Sequence, residues 1–173
     1  SYMSVVWSHK IQEKQADILT KHYKRLEIIR VSCGALTSAG LISLIFMDQF
    51  AIKIVSTIIS FISTLISMLF RSFDTQKSIT NHKNAANELL VIRNRLQLLL
   101  VDIKVGNKDK PELMKIYTNL VEQLDNIYRT APNTTDKAVK LAGIALKVNR
   151  DNEFSDEEID LNLPKSLRKK VAL

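Results

Sequence analysis

The sequence predicts an all-α membrane protein in which a two-helix transmembrane hairpin continues into a cytosolic helical stalk and bundle. Residues 31–47 and 54–70 contain no charged side chain, although charged residues make up 25% of the chain. A helix rises about 1.5 Å per residue, so each run extends roughly 25 Å, close to the ~30 Å hydrocarbon core of a lipid bilayer. Residues 48–53 then form a tight turn. The alternative is a pair of buried helices in a soluble bundle, but such helices normally keep a charged face.

We place the spans at about residues 28–47 and 52–70, within a long helical hairpin that covers residues 5–104. Lipid offers no hydrogen-bond partners to the backbone, so both spans must be helical. Residues 105–150 are predicted to complete the cytosolic bundle, and residues 151–173 form a charged C-terminal tail.

Positive charge is concentrated beside the two predicted spans. The chain carries 25 Lys and Arg against 18 Asp and Glu, a formal charge of +7. The cations nearest the spans are Lys21, Lys24, Arg25, Arg30, Arg71, Lys77 and Lys83. By the positive-inside rule, this pattern predicts a multi-pass protein with both termini in the cytoplasm. The excess charge also favours binding of anionic lipid or of a nucleotide.

Two long helices are predicted to form the stalk below the membrane. Residues 5–29 have apolar side chains at helical spacing, and no Pro or Gly interrupts their passage into the first span. Residues 71–104 form a second helix with a near-heptad seam. The seam consists of Ile79, His82, Ala86, Leu89, Ile92, Leu96, Leu99 and Ile103. Because a tight turn joins the spans, the two helices are expected to run antiparallel.

Breaker residues predict the next helix of the bundle. The sequence Gly106-Asn107-Lys108 ends the long helix, and Pro111 starts another over about residues 112–130. The sequence Ala131-Pro132-Asn133 ends that helix in turn.

Capping residues predict the remaining elements. Thr135 caps a helix over about residues 136–148. The acidic stretch that follows predicts a loop, in which Ser155 and Glu158 fit a capping box for one helical turn. Residues 164–173 are predicted to form a short basic terminal helix.

The second span carries a row of hydroxyl side chains along one helical stripe. The candidate pore-lining residues are Ser56, Ser60, Ser63, Thr64 and Ser67. They recur at steps of three and four, and repetition of such a row around a symmetry axis can line a water-filled path. The alternative is that these hydroxyls bond to backbone carbonyls or join neighbouring helices.

Two groups of basic residues are candidates for binding a phosphate-bearing ligand. The first group is Lys83, Arg93 and Arg95. The second group is Lys137, Lys140, Lys147 and Arg150. An oligomer would repeat either group into a basic ring suited to nucleotides. The alternative is that these are ordinary solvated side chains.

No pattern in the chain predicts catalysis or a cofactor. The sequence has no Gly-rich phosphate loop and no His-Glu-x-x-His motif, and its single cysteine, Cys33, lies in the first predicted span. We therefore predict that the protein is not an enzyme and holds no metal. His22 and His82 lie at similar predicted depths below the membrane, so they are candidates to meet across the stalk as interface residues.

Several short motifs surround the two closely spaced spans in a distinctive order. They are Trp7, Ala16, His22-Tyr23 and Leu26, then Phe70-Arg71, Asn81-His82-Lys83 and Ala85-Ala86, and finally Ala131-Pro132. Their order and spacing over about residues 5–148 resemble the SLATT family, the SMODS- and SLOG-associating two-transmembrane effectors.

The resemblance implies a bacterial antiviral effector in the inner membrane. It implies a homo-oligomeric pore controlled by a nucleotide or short oligonucleotide from a partner nucleotidyltransferase. We take a tetramer as the working subunit number. Failure of the membrane would then arrest growth of the infected cell. Two alternatives remain open, a membrane-anchored scaffold without a pore and a regulatory subunit of another transporter.

Overall fold

The computed structural model describes residues 1–46, 50–106, 108–164 and 168, apart from the side chains at 41, 44–46 and 70–73. The described part of the chain contains α-helices and no strand, as predicted. The helices are α1 (Tyr2–Phe46), α2 (Phe50–Phe73), α3 (Thr75–Val105), α4 (Lys110–Thr130), α5 (Asp136–Lys147) and α6 (Asp156–Asn162). The first residues of the predicted turn, Asn107 of the predicted break and most of the predicted terminal helix lie outside the described residues.

Helix α1 is the element around which the others are arranged. It runs without interruption for 45 residues, roughly 68 Å, which confirms the predicted passage from the stalk into the first span region. It packs against α2, α3 and α5. Two contacts give the antiparallel register, Gln12 with His82 of α3 and Gly40 with Ser56 of α2.

A short break at Asp74 separates α2 from α3. Asp74 adopts a left-handed conformation with φ 37° and ψ 50°, and its carboxylate accepts a hydrogen bond from the Lys77 amide. Aspartate tolerates this conformation and satisfies an amide that has no partner at a helix start. The prediction of one helix over residues 71–104 is therefore wrong at its beginning, because α2 continues to Phe73 and α3 starts at Thr75.

The predicted seam of α3 is buried over most of its length. Its members from Ile79 to Leu99 are buried, and Leu89 is fully enclosed in the same core cluster as Val5 of α1. The exception is Ile103, which is 54% exposed. Leu99, one turn earlier, still belongs to the core cluster, which includes Leu120 and Leu124 of α4.

Capping residues set the starts of the three short helices. Asp109 caps α4, and Pro111 lies in its first turn as predicted. Thr135 caps α5, and Ser155 forms the predicted capping box of α6 with Glu158. Each cap supplies an acceptor to an amide that the helix itself cannot satisfy, so these boundaries are encoded locally.

One helix in the described part of the chain, Phe50–Leu69 within α2, is long and apolar enough to cross a bilayer. Its mean hydropathy is 1.9, and only 11% of it is buried inside the protein. The first predicted span extends to residue 47, which lies outside the described residues. By length and composition the structure therefore supports one crossing, and it does not confirm the two-helix transmembrane hairpin.

Gly40 marks a close approach of α1 to α2. A Cβ atom at this position would overlap Ser56 Oγ, whereas a Cβ atom at Gly34 would meet no atom within 4 Å. We expect Gly40→Leu to lower the free energy of unfolding by about 1–3 kcal/mol, because the larger side chain forces the helices apart. Gly34→Leu is the matched control and should leave stability nearly unchanged. Thermal unfolding in detergent compares the two, and equal losses would mean that the helices do not pack through Gly40.

Candidate functional site

The hydroxyl row of α2 lies in two different surroundings. Ser56 is only 7% exposed and is packed against α1. Ser63 and Ser67 are half-buried, whereas Ser60 and Thr64 are exposed. The row is divided because the face of α2 that packs on α1 overlaps one edge of the predicted stripe.

The exposed part of the row lines a groove beside the α1–α2 contact, which we name the hydroxyl groove. Its volume is about 540 Å³. Its lining residues are Thr37 of α1 and Lys53, Ser56, Thr57, Ser60, Phe61 and Thr64 of α2. Five of these seven side chains carry a hydroxyl, although most of the accessible surface of the groove is apolar.

Several hydroxyls of α2 donate to the backbone carbonyl one turn earlier. Thr57 and Thr64 of the hydroxyl groove do so at 2.8 and 2.9 Å, and Ser67 does so at 2.9 Å. These bonds satisfy the hydroxyl donors within α2 itself, which is the arrangement expected if the hydroxyl row does not line a pore. Each hydroxyl oxygen still has capacity to accept a hydrogen bond or to contact a cation. Lining of a conduit by these residues stays a prediction.

Contacts at both ends hold α5 against α1. At its start, Gln15 Oε1 accepts hydrogen bonds from the Thr135 amide at 3.0 Å and from the Thr135 hydroxyl at 2.7 Å. Beyond its end, the Asp151 carboxylate lies 3.6 Å from Lys10 Nζ and 3.9 Å from Lys14 Nζ. Between these ends, Gly143 faces the Trp7 ring, and Ala138, Ala142 and Ala145 are buried along the length of α5.

A second groove lies between α1 and α5, which we name the basic groove. Its volume is about 390 Å³. Four of its lining residues are cations, Lys14, Lys21 and Arg25 of α1 and Lys137 of α5. His22 adds a group that can donate or accept a hydrogen bond. The cations of two helices that are distant in sequence therefore face one cavity.

One wall of the basic groove is apolar. Ile18, Leu141 and Ile144 contribute to it, and Asp17 is the one carboxylate among the lining residues. Lys137 lies in the first turn of α5, where the helix dipole adds positive potential. Cations beside an apolar wall suit a ligand that carries both phosphates and a flat ring. The carboxylate could accept hydrogen bonds from a sugar or an amino group of such a ligand.

The structure brings one member of the second predicted ligand group, Lys137, into the basic groove. Lys147 Nζ instead lies 5.4 Å from the centroid of the Trp7 ring. Arg150 lies 3.5 Å from a glutamate of the following segment. Lys140 is exposed and is not among the residues that line the basic groove.

The three residues of the first predicted ligand group lie in different surroundings. Arg95 donates to Gln123 at 2.9 Å and lines a groove of about 620 Å³ between α3 and α4. Arg93 hydrogen-bonds to the neighbouring Asn94, and Lys83 is exposed on α3. Ligand binding by these residues stays a prediction.

The contribution of α1 to the basic groove is not predicted from the sequence, where Lys21 and Arg25 are interpreted as topology signals. A signal was present in the sequence. Lys14, Lys21 and Arg25 recur at steps of seven and four, which places them on one face of a continuous helix. What the sequence did not contain was the position of α5 opposite that face.

A family profile matches residues 1–158, from the first residues of α1 into α6. The family is described as SMODS and SLOG-associating 2TM effector domain family 4. The chain belongs to the SLATT family. The resemblance drawn from the sequence is thereby confirmed, and the chain carries a two-transmembrane effector domain of defence systems. No protein with curated annotation and no solved structure matches the chain.

Both grooves lie inside the matched SLATT region. The hydroxyl groove is formed by α1 and α2, and the basic groove is formed by α1 and α5. Both therefore belong to the SLATT domain, whose match extends to residue 158.

Two buried histidines connect α1 to α3 in the SLATT bundle. His82 Nδ1 donates to Gln12 Oε1 at 2.6 Å, and His9 Nδ1 donates to the Ala86 carbonyl at 2.9 Å. A carbonyl oxygen only accepts, so each ring carries its proton on Nδ1. The predicted meeting of His22 with His82 is wrong, because the partner residue Gln12 lies about 15 Å along α1 from His22. Core packing between α1 and α3, and not equal depth below the membrane, sets this register.

Burial lowers the pKa of both His9 and His82 below the ordinary value of 6.5. For His9, the bond to the Ala86 carbonyl and the charge of Glu13 partly oppose this effect of burial on the pKa. Between the lowered folded pKa and 6.5, the unfolded chain binds protons that the folded bundle excludes. Stability is therefore fully present above about pH 6.5 and decreases as the pH falls below it.

We expect the melting temperature of the SLATT protein in detergent to fall between about pH 7 and pH 5. The double variant His9→Gln and His82→Gln should show a flatter profile, because it removes both groups that resist protonation. The exposed His22→Gln is the matched control and should keep the original profile. If the melting temperature of the double variant kept the original dependence on pH, that dependence would come from carboxylates instead.

Proposed function

We propose that this SLATT chain forms a homo-oligomeric pore in the bacterial inner membrane, controlled by a nucleotide or short oligonucleotide from a partner nucleotidyltransferase. The observation that carries the proposal is the exposed hydroxyl groove on a helix of bilayer-spanning length. A row of hydroxyl side chains on such a helix is better matched to water or to other subunits than to acyl chains. Membrane failure would then arrest growth of the infected cell.

In the proposed assembly, the hydroxyl grooves of several subunits face the symmetry axis. Ser60 and Thr64 would be exposed to the conduit, with Lys53 at one end of it. The exposed isoleucines of α2, such as Ile54 and Ile58, would face lipid. Ser56 would stay at the contact between α1 and α2, and Ser63 and Ser67 would border the conduit. This division follows the exposure of the five predicted lining residues within one subunit.

Control by a ligand is proposed to act through the basic groove. A phosphate-bearing ligand there would contact Lys21 and Arg25 of α1 and Lys137 of α5 at the same time. Helix α1 is continuous from this groove to its contact with α2, so a tilt of α1 is transmitted to the proposed conduit. The ligand shifts the balance of open and closed forms only to the extent that it binds one of them better.

The second candidate function is a membrane-anchored scaffold that recruits a partner through its bundle. It is favoured by the hydrogen bonds of Thr57, Thr64 and Ser67 to carbonyls of their own helix, since these make the hydroxyl row tolerable without a pore. A regulatory subunit of another transporter would use the same anchor.

Reconstitution in planar bilayers tests the proposal. Purified protein should carry current that changes when a panel of short linear and cyclic oligonucleotides is added on the side of the cytosolic bundle. A scaffold would carry no current under any of these conditions. A regulatory subunit would carry none alone and would copurify from cells with a larger membrane protein. Absence of current with every member of the panel would overturn the pore.

A further inference from the structure

Helix α3 carries a second heptad pattern on the face opposite its buried seam. Its members are Asn87, Val91, Asn94, Leu98, Val101 and Val105, which we name the outer seam. They recur at steps of three and four, and at about 100° per residue they lie on the far side of the helix from Leu89 and Leu96. All six are exposed.

Four of the six side chains of the outer seam are apolar, and three of these are its last three members. The exposed fraction is 48% for Val91, 66% for Leu98, 51% for Val101 and 58% for Val105. Four apolar side chains at heptad positions on one helix face are typical of a helix that packs against another helix. Within the described chain, α4 and α1 pack on the buried side of α3 and leave this face uncovered.

We infer that the outer seam binds the outer seam of a second copy of this chain, so that the α3 helices pack side by side below the membrane. The inference rests on the proposed membrane oligomer. Insertion in one bilayer gives every copy the same orientation, and copies that meet through α3 must therefore meet in parallel. A parallel contact brings like positions of the heptad together, which aligns the valines and Leu98 of one copy with those of the next.

Charges beside the outer seam fit this parallel register. Lys83 and Glu88 are both exposed and lie on opposite flanks of the seam, five residues apart. In a parallel in-register pair, this is the spacing that places a cation of one helix beside the carboxylate of its neighbour. Asn87 and Asn94 would pair with their own copies, and a buried asparagine at a seam position favours one register over its alternatives.

Cysteine cross-linking in membranes tests the contact on the full chain. In a Cys33→Ser background, Leu98→Cys should give a covalent dimer under mild oxidation, because the two copies of position 98 meet in the parallel seam. Glu122→Cys, on an exposed position of α4, is the matched control and should stay monomeric. Equal cross-linking at the two positions, or none at position 98, would contradict the proposed contact between outer seams.

Charge exchange gives a second, independent measurement. Lys83→Glu should reduce self-association in detergent about tenfold, because it places like charges together at every subunit contact. Adding Glu88→Lys should restore it, and light scattering measures the assembled mass. Failure of the double exchange to restore assembly would overturn the proposed register.

The contact between outer seams and the proposed pore can fail independently, and the two experiments distinguish these failures. A cross-link at position 98 without any current would support the contact between outer seams and contradict the proposed conduit. Current without that cross-link would retain the conduit and overturn the outer seam.

Discussion

Replacing Ser60 and Thr64 together with leucine is expected to reduce single-channel conductance at least about tenfold while leaving assembly intact. Both residues are exposed in one subunit and line the hydroxyl groove, so the change does not disturb the contact between α1 and α2. Two leucines per subunit, repeated around the axis, narrow the proposed path and remove its hydroxyl oxygens. A narrow apolar ring also favours dewetting, which closes a pore to ions. Current through planar bilayers measures the effect.

The control for this variant is another exposed serine in the predicted spans. Ser38 of α1 is exposed and donates to the Gly34 carbonyl at 3.0 Å, and it is not among the residues that line the hydroxyl groove. Ser38→Leu makes the same chemical change elsewhere and should leave the conductance unaltered. Unchanged current in the Ser60 and Thr64 double variant would show that the conduit, if present, runs along another surface.

Replacing Lys21 and Lys137 together with glutamine is expected to weaken oligonucleotide binding about a hundredfold at low salt, because each change removes one charge-assisted contact to phosphate. The two residues come from α1 and α5 and face the same groove. Loss of two cations should also make binding less sensitive to added salt, since less of the affinity is then electrostatic. Fluorescence anisotropy with labelled members of the oligonucleotide panel measures both effects.

Lys140→Gln is the matched control for the basic groove. Lys140 lies on the same helix as Lys137 but is not among the residues that line this groove. It should bind oligonucleotide as the unaltered protein does, with the same dependence on salt. If Lys140→Gln weakened binding and the Lys21 and Lys137 pair did not, the ligand would be bound on the outer face of α5 by the group predicted from the sequence.

The helices themselves were largely predictable because their signals are local. Thr135 has the side chain that caps a helix start, and Gly106 adopts the left-handed conformation that ends α3, with φ 75°. The break at Asp74 was also encoded locally, by a residue that caps helices readily. It was missed because the helical periodicity on both sides continues through it and hides the interruption.

The candidate site was only partly predictable because it depends on which faces of the helices meet. The hydroxyl row was visible as a stripe, but its division into buried Ser56 and exposed Ser60 depends on the face of α2 that packs on α1. In the same way, Lys137 was identified without its partners, because Lys21 lies over a hundred residues away in the chain. The spacing of residues along one helix does not show which residues of another helix lie opposite them.

The sequence by itself determined an all-helical chain, its SLATT membership and the ends of most helices, because composition, periodicity and caps act over a few residues. The tertiary structure decided that α5 packs on α1, that His82 meets Gln12, and that cations from α1 and α5 share one groove. These outcomes depend on how the buried faces of separate helices fit together. Such packing is a property of pairs of surfaces, and no single stretch of sequence contains both members of a pair.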